Sequence, residues 1–225
     1  MVGVTVESTY DLVFANGTWI DRSRITELCQ GANRIVACDG ALQRCLDAGI
    51  APTVVAGDMD SIKPEALDTF TASGGKVVRL LDQNSNDLSK TLEWLERKGG
   101  NRFIVVGSTG GDAQHEWANL LACAALNVDI QCESTTQIYW FLLPDESYSI
   151  DCSVGAEFSL FALPEARGID LSGAAYPLSD AALIMGSEGL HNVATGERIE
   201  LRFKQGRLML MQPRPDSTVE ETSGA

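Results

Sequence analysis

The sequence predicts an α/β fold: a doubly wound, mostly parallel, Rossmann-like sheet followed by a small antiparallel β-sandwich domain. Three observations predict it. Short apolar runs alternate with amphipathic stretches from residue 11 to about 133. Several of those runs end in Gly or Asp, and beyond residue 135 the helical spacing gives way to short β-like segments split by Gly, Pro, Asp and Ser. Apolar runs of about four residues bounded by turn residues read as strands buried on both faces. Their alternation with helices calls for parallel βα units.

Taken in order, residues 12–15, 34–37, 53–56, 76–80, 102–107 and 129–132 read as strands. Between them, 22–30, 41–48, 64–73, 87–98 and 112–126 read as helices. Pro64 suits a first helical turn, and Asn86 suits an N-cap before Asp87. In the second part, 137–143, 148–152, 157–162, 182–185, 197–204 and 207–212 read as strands, the last two joined by a tight hairpin at Gln205-Gly206. The expected division is an α/β domain at 1–135, a β-domain at 136–213 and a disordered polar tail at 214–225.

Composition narrows the partners. The 225 residues suffice for one large domain or two modest ones with a hydrophobic core. Seventeen basic residues stand against 31 acidic ones, a formal charge of −14, which argues against nucleic acid or an anionic membrane as the main partner. Cysteines 29, 38, 45, 123, 132 and 152 show no C-x-x-C spacing, and most lie in apolar segments where a free thiol packs as a small hydrophobe. The first ten residues lack the basic flank and apolar core of a secretory signal. No stretch approaches the roughly 18 apolar residues that span a bilayer. A reduced cytoplasm is the expected compartment.

The chemistry is expected at the carboxyl ends of the strands, where open α/β sheets bind ligands. Asp39 follows the second strand, Asp58 and Asp60 follow the third, and Asp87 with Lys90 opens a helix. Carboxylates collected there suit Mg2+, a hard cation that leaves room for phosphate oxygens. The Asp58-x-Asp60 spacing does not by itself choose a reaction. Haloacid-dehalogenase-type phosphatases and nucleotide-sugar transferases use such pairs too, although Ile62 stands where that phosphatase type usually has Thr or Val. Taken alone, Asp39 reads as a strand stop before it reads as a ligand, and Asp87 with Lys90 could be a helix-start pair. The loop Gly107-Ser108-Thr109-Gly110-Gly111 precedes a helix and would offer backbone N–H groups to phosphate. It is neither a P-loop nor a dinucleotide fingerprint. His115 and His191 are the two histidines, which excludes a His-rich zinc site.

Together these elements resemble the thiamine pyrophosphokinase family, in the same order along the chain. Asp39-Gly40-Ala41 is similar to its Asp-Gly-Gly-Ala element, and Gly57-Asp58-Met59-Asp60-Ser61 to its Gly-Asp-Phe-Asp-Ser. The stretch from Asp82 and Gln83 through Asp87-Leu88-Ser89-Lys90 resembles its Asp-Gln…Thr-Asp-Phe-Thr-Lys. Gly173-Ala174-Ala175-Tyr176-Pro177-Leu178 resembles Gly-Leu-Lys-Tyr-Pro-Leu, and His191-Asn192 stands at its Ser-Asn. The resemblance runs from about residue 12 to 212. Two elements depart: the family commonly has Arg-x-Asp-His where this chain has Asp112-Ala113-Gln114-His115, and His191 replaces a Ser.

The resemblance implies diphosphate transfer from ATP to the hydroxyl of thiamine, giving thiamine diphosphate and AMP. It implies that Asp58, Asp60 and Asp87 ligate Mg2+ with Asp39 nearby. By the same resemblance Lys90 and the amides of Ser108, Thr109, Gly110 and Gly111, with His115 facing them, hold phosphate. Gln83, Tyr176, His191 and Asn192 are implied on the thiamine side. The β-domain is implied in thiamine binding and dimerisation, and the assembly is expected to be a homodimer. Alternative expectations are diphosphate transfer to another heterocyclic alcohol, such as a pterin, or an idle thiamine- or nucleotide-binding sensor.

Overall fold

The computed structural model describes residues 9–214. Of the tail expected at 214–225, all but Arg214 lies outside the described residues. Arg214 is buried, and its N–H donates to the Thr136 carbonyl at 2.9 Å. The chain divides into two compact units, Met1–Ser134 and Thr135–Ala225.

The first unit alternates strand and helix. Its order is β1 (Tyr10–Phe14), α1 (Arg22–Gly31), β2 (Ala32–Cys38), a 3-10 turn (Asp39–Ala41) leading into α2 (Leu42–Asp47), β3 (Val54–Gly57) and α3 (Pro64–Ala72). Then come β4 (Lys76–Arg79), α4 (Asp87–Arg97), β5 (Arg102–Val106), α5 (Ala113–Ala125) and β6 (Asp129–Glu133). The strands pair in parallel in the order β4-β3-β2-β1-β5-β6. The sequence winds outward from β1 in both directions, so the switch of direction lies between β1 and β5. The crevice outside the carboxyl ends at such a switch is the usual ligand position.

Local chemistry explains these elements. Leu12, Val13 and Phe14, Val54, Val55 and Ala56, and Phe103 through Val106 are all buried, as strands covered on both faces require. Helix α4 buries Leu88, Leu92 and Leu95 along one face, and the Asn86 side chain caps it by accepting from the Ser89 N–H at 2.9 Å. The six cysteines are free thiols, four of them buried. Among the described residues no helix is long and apolar enough to cross a membrane.

The second unit is antiparallel: β7 (Gln137–Leu142), β8 (Ser147–Asp151), β9 (Glu157–Ser172), β10 (Leu178–Ile184), β11 (Asn192–Val193), β12 (Arg198–Arg202) and β13 (Gln205–Pro213). Two expectations fail here. The strand expected at 157–162 runs on for 16 residues, through Pro164 and Gly168. It pairs with β13, β12, β10 and β11, and β13 and β10 flank it on opposite edges at Ala166 and Arg167. The hairpin expected at Gln205-Gly206 is also absent. Strand β12 pairs with β8 and β9, whereas β13 pairs with β7 and β9. Gly206 serves a close approach instead: at φ +90°, a Cβ there would lie 1.9 Å from the Glu165 carbonyl oxygen of β9. The core of this unit includes Phe158, Leu160, Ile169, Leu171, Ile199, Phe203, Leu208 and Leu210.

Candidate active site

The carboxyl ends of β2 and β3 bring acidic side chains together. Asp39, Asp58 and Asp60 each place a carboxylate oxygen within 4.8 Å of the other two. The loop after β3 is shaped for this. Met59 adopts φ +71°, a left-handed conformation uncommon outside glycine, while its side chain is buried in the core. The Asp60 N–H donates to Asp58 Oδ1 at 3.3 Å, and Ser61 Oγ donates to Asp60 Oδ1 at 2.9 Å. The Ser61 N–H reaches Asp39 Oδ2 at 3.5 Å. Gly57 leaves no room for a side chain: a Cβ there would lie 2.5 Å from the Asp39 Cβ and 3.3 Å from Asp87 Oδ1.

Asp87 joins this group through Lys90. The buried Lys90 ammonium lies 3.0 Å from Asp87 Oδ1 and 3.7 Å from Asp58 Oδ2. Burial pulls its pKa down, but the two carboxylates outweigh that and the net direction is up, so it stays charged. Asp39 is fully buried, and its pKa is pushed up to about 6, first by desolvation and then by its contact with Asp58. Asp58 is held below the usual carboxylate range, chiefly by the Asp60 N–H, with help from Asp39 and Lys90.

Four carboxylates thus face one ammonium. Asp39 Oδ1 and Asp87 Oδ1 are buried without a hydrogen-bond partner, Lys90 meeting Asp87 at ion-pair distance but off the hydrogen-bonding direction. An all-oxygen donor set, excess negative charge and orphaned buried oxygens fit a hard divalent cation. The neighbouring Cys38 adds no soft ligand: its thiol faces Thr91 Oγ1 at 3.7 Å, and burial pushes its pKa up to about 12. Lys90→Met should lower the stability of the metal-free protein by about 3 kcal/mol, the low end for breaking a buried pair, since Asp58 and Asp87 keep some exposure. Urea titration without divalent cations reads this, and an unchanged midpoint would contradict the account of Lys90.

A cavity of about 310 Å³ runs from Asp87 and Leu88 to the glycine loop. Residues 15–17 after β1 wall it on one side, and residues 108–112 with His115, Glu116 and Asn119 on another. The loop is tied to the 15–18 segment by Gly17 N–H to Gly107 O and Thr18 N–H to Thr109 O, both 2.8 Å. Asn119 Nδ2 donates to Ser108 O at 2.8 Å, and its Oδ1 accepts from Asn86 Nδ2 at 2.9 Å, so one side chain connects the loop to the cap of α4.

The loop's N–H groups are not all open. Gly110 N–H donates to Glu116 Oε2 at 2.9 Å, and the Gln114 and His115 N–H groups both donate to Asp112 Oδ1 at 3.0 Å. Asp112, the departure from the family pattern, is the N-cap of α5. Ser108 is buried with its Oγ unpartnered, Thr109 is buried, and Gly110, Gly111 and His115 are exposed at the cavity. Asn16, Glu116 and Asn119 were not singled out from sequence. The signal for Asn119 was its position one turn after His115, on a helix that begins at the loop.

Of the residues expected on the thiamine side, Gln83 is exposed in the loop before α4 and does not line this cavity. The other three belong to the second unit. Tyr176 is 69% exposed, and its backbone is gripped by Asn192, whose Oδ1 accepts from the Tyr176 N–H at 3.0 Å and whose Nδ2 donates to the Tyr176 carbonyl at 2.8 Å. The same Oδ1 accepts from Val193 N–H at 2.9 Å. Asn192 therefore positions Tyr176. His191, at φ +56°, is exposed beside Glu157, with Nδ1 to Oε2 at 3.3 Å. Asn192→Ala should cost about 2 kcal/mol by stranding these backbone groups. The thermal midpoint should fall by about 4 °C or more, and a midpoint equal to the parent's would refute that role.

A parallel sheet with carboxylates gathered at its carboxyl edge, beside a glycine-loop cavity at the topological switch, defines the class of α/β proteins that hold oxygen-rich ligands there. Residues 25–133 match the family model described as thiamin pyrophosphokinase, catalytic domain. The thiamine pyrophosphokinase of Bacillus subtilis is 26% identical over 184 residues, covering 79% of this chain and 86% of that protein. Thiamine pyrophosphokinase 1 of rice is 36% identical over 76 residues, 31% of this chain but only 29% of the rice protein's length. The crystal structure of the Bacillus subtilis enzyme superposes with a TM-score of 0.74 at 22% identity, covering 92% of this chain and all of that one. That of Candida albicans thiamin pyrophosphokinase gives 0.70 at 14% identity, covering 92% and 90%. This chain is thus similar to thiamine pyrophosphokinases, in the catalytic-domain match over residues 25–133 and in the Bacillus subtilis relative along most of its length.

Proposed function

We propose that this chain is an enzyme that transfers a diphosphate group from ATP to the hydroxyl of thiamine, giving thiamine diphosphate and AMP. The observation that carries this reading is the cluster of Asp39, Asp58 and Asp60, bridged to Asp87 by a buried Lys90, in a chain similar to thiamine pyrophosphokinases. In this reading Asp39, Asp58, Asp60 and Asp87 hold Mg2+. Bound there, the ion would neutralise charge on the phosphates during transfer.

The protein's own groups do the rest. Lys90 lies between Asp58 and Asp87 and helps hold Asp58 ionised. The thiamine hydroxyl attacks the β-phosphorus, the bond from that phosphorus to the α,β-bridging oxygen breaks, and AMP departs with that oxygen. The hydroxyl proton passes to a carboxylate of the cluster. Tyr176, its backbone fixed by Asn192, offers an aromatic face to the thiazolium cation, with His191 and Gln83 as further thiamine contacts. We further propose a homodimer working in the cytoplasm, with neither nucleic acid nor membrane as partner.

The test is AMP formation from ATP and Mg2+, with and without thiamine, with mass detection of the second product. Thiamine-dependent AMP together with thiamine diphosphate is expected. AMP formed with a pterin alcohol but not with thiamine would move the acceptor. Saturable binding without AMP would make the protein a sensor.

A further inference from the structure

The glycine-loop end of the cavity is built against phosphate. Its described lining contains no Lys or Arg, while Asp87, Asp112 and Glu116 all face it. Three of the amides that would greet an anion are held by this chain's own carboxylates: Gly110 N–H by Glu116, and those of Gln114 and His115 by Asp112. A phosphate laid there would meet two negative charges at a helix end whose favourable dipole is already occupied.

The same groups suit hydroxyl donors. Glu116 spends Oε2 on Gly110 and Asp112 spends Oδ1 on Gln114 and His115, while among the described residues no hydrogen bond occupies Glu116 Oε1 or Asp112 Oδ2. Ser108 Oγ supplies a separate sign of a ligand: it is buried, lines the same cavity and lacks a partner. A hydroxyl can both donate to a carboxylate and accept from a serine. The ATP reading, on which this inference rests, puts the phosphates at the carboxylate cluster beyond Asp87. Ribose is joined to the α-phosphate through O5′, so it is the next group along the cavity.

We propose that Glu116, with Asp112 and Ser108, binds the 2′- and 3′-hydroxyls of the nucleotide's ribose, making Glu116 the residue that selects ribonucleotides over deoxyribonucleotides. An acidic side chain accepting from a ribose diol is a recurrent solution in α/β nucleotide sites. The phosphate chain is then held at the cluster end alone.

Calorimetric binding of ATP, 2′-deoxy-ATP and 3′-deoxy-ATP to the full chain, with Mg2+, tests this alongside thiamine-dependent AMP formation. The parent should prefer ATP at least about tenfold over each deoxy analogue, the value of a hydrogen bond to a charged group. Glu116→Gln can still accept from Gly110 but presents an amide donor to the cavity, so the preference should fall to about threefold or less. Three results would overturn the proposal. One is equal binding of all three nucleotides by the parent. Another is tighter binding of both ATP and inorganic pyrophosphate by Glu116→Gln or Glu116→Ala, which would make Glu116 a shield over a phosphate site. The third is lost thiamine binding in the variant with ribose preference intact, which would assign these carboxylates to the thiamine cation. Ribose preference without AMP formation would keep this inference and remove the transferase reading. AMP formation without ribose preference would do the reverse, and no nucleotide binding would remove both.

Discussion

Asp58→Asn is expected to lower thiamine-dependent AMP formation by about 10³-fold while far-UV circular dichroism stays that of the parent. The side chain keeps its size and its position after β3, but it loses the charge that Asp60 N–H, Asp39 and Lys90 all hold in place. Asp87→Ala should act alike, because it removes the other carboxylate that Lys90 reaches. The binding step can be separated from the chemistry. Mg2+ at about a hundred times its dissociation constant should stabilise the parent by about 2.7 kcal/mol and Asp58→Asn far less. Near-normal turnover in both variants would remove the carboxylate cluster from the mechanism.

The second large effect is expected at a residue with no functional group. Gly57→Ala places a methyl 2.5 Å from the Asp39 Cβ, a separation that forces either β3 or the turn after β2 to move. The backbone at φ +154° adds strain for a side chain. Displacing Asp39 by about an ångström should cost about 100-fold in turnover. The KM for ATP should rise with it, since the nucleotide is held at the same cluster. Parent-like kinetics from a folded Gly57→Ala protein would show that Asp39 takes no part.

The first unit could be read closely from the sequence because its strands are buried on both faces and its breaks carry Asp, Gly or Pro. The second could be read less well. The strand expected at 157–162 passes on through Pro164 and Gly168 because its neighbours on each edge hold it extended. Gly206 looked like a turn and is a contact with Glu165. Cross-strand partners of this kind are set by tertiary pairing, which leaves no local trace. At the site, the run of acidic residues at strand ends was legible. That Asp39 comes within 4.8 Å of Asp58 and Asp60 was not, because it depends on how Gly57 lets two loops approach. Asp112 looked like a reversal of charge beside phosphate, and its role as a helix cap appears only once its two N–H partners are seen.

The long strand β9 also sets the order in which the chain can mature. Strand β7 finds its partner in β13, roughly seventy residues later by the register Gln137 to Pro213 and Leu142 to Leu208, an entropically slow closure. Nascent chains emerge from the ribosome N-terminus first, so the first unit has its full parallel sheet available well before β13 is translated. Until then β7 and the leading half of β9 present bare edges, and that interval is where the newborn protein is most exposed to edge-to-edge aggregation.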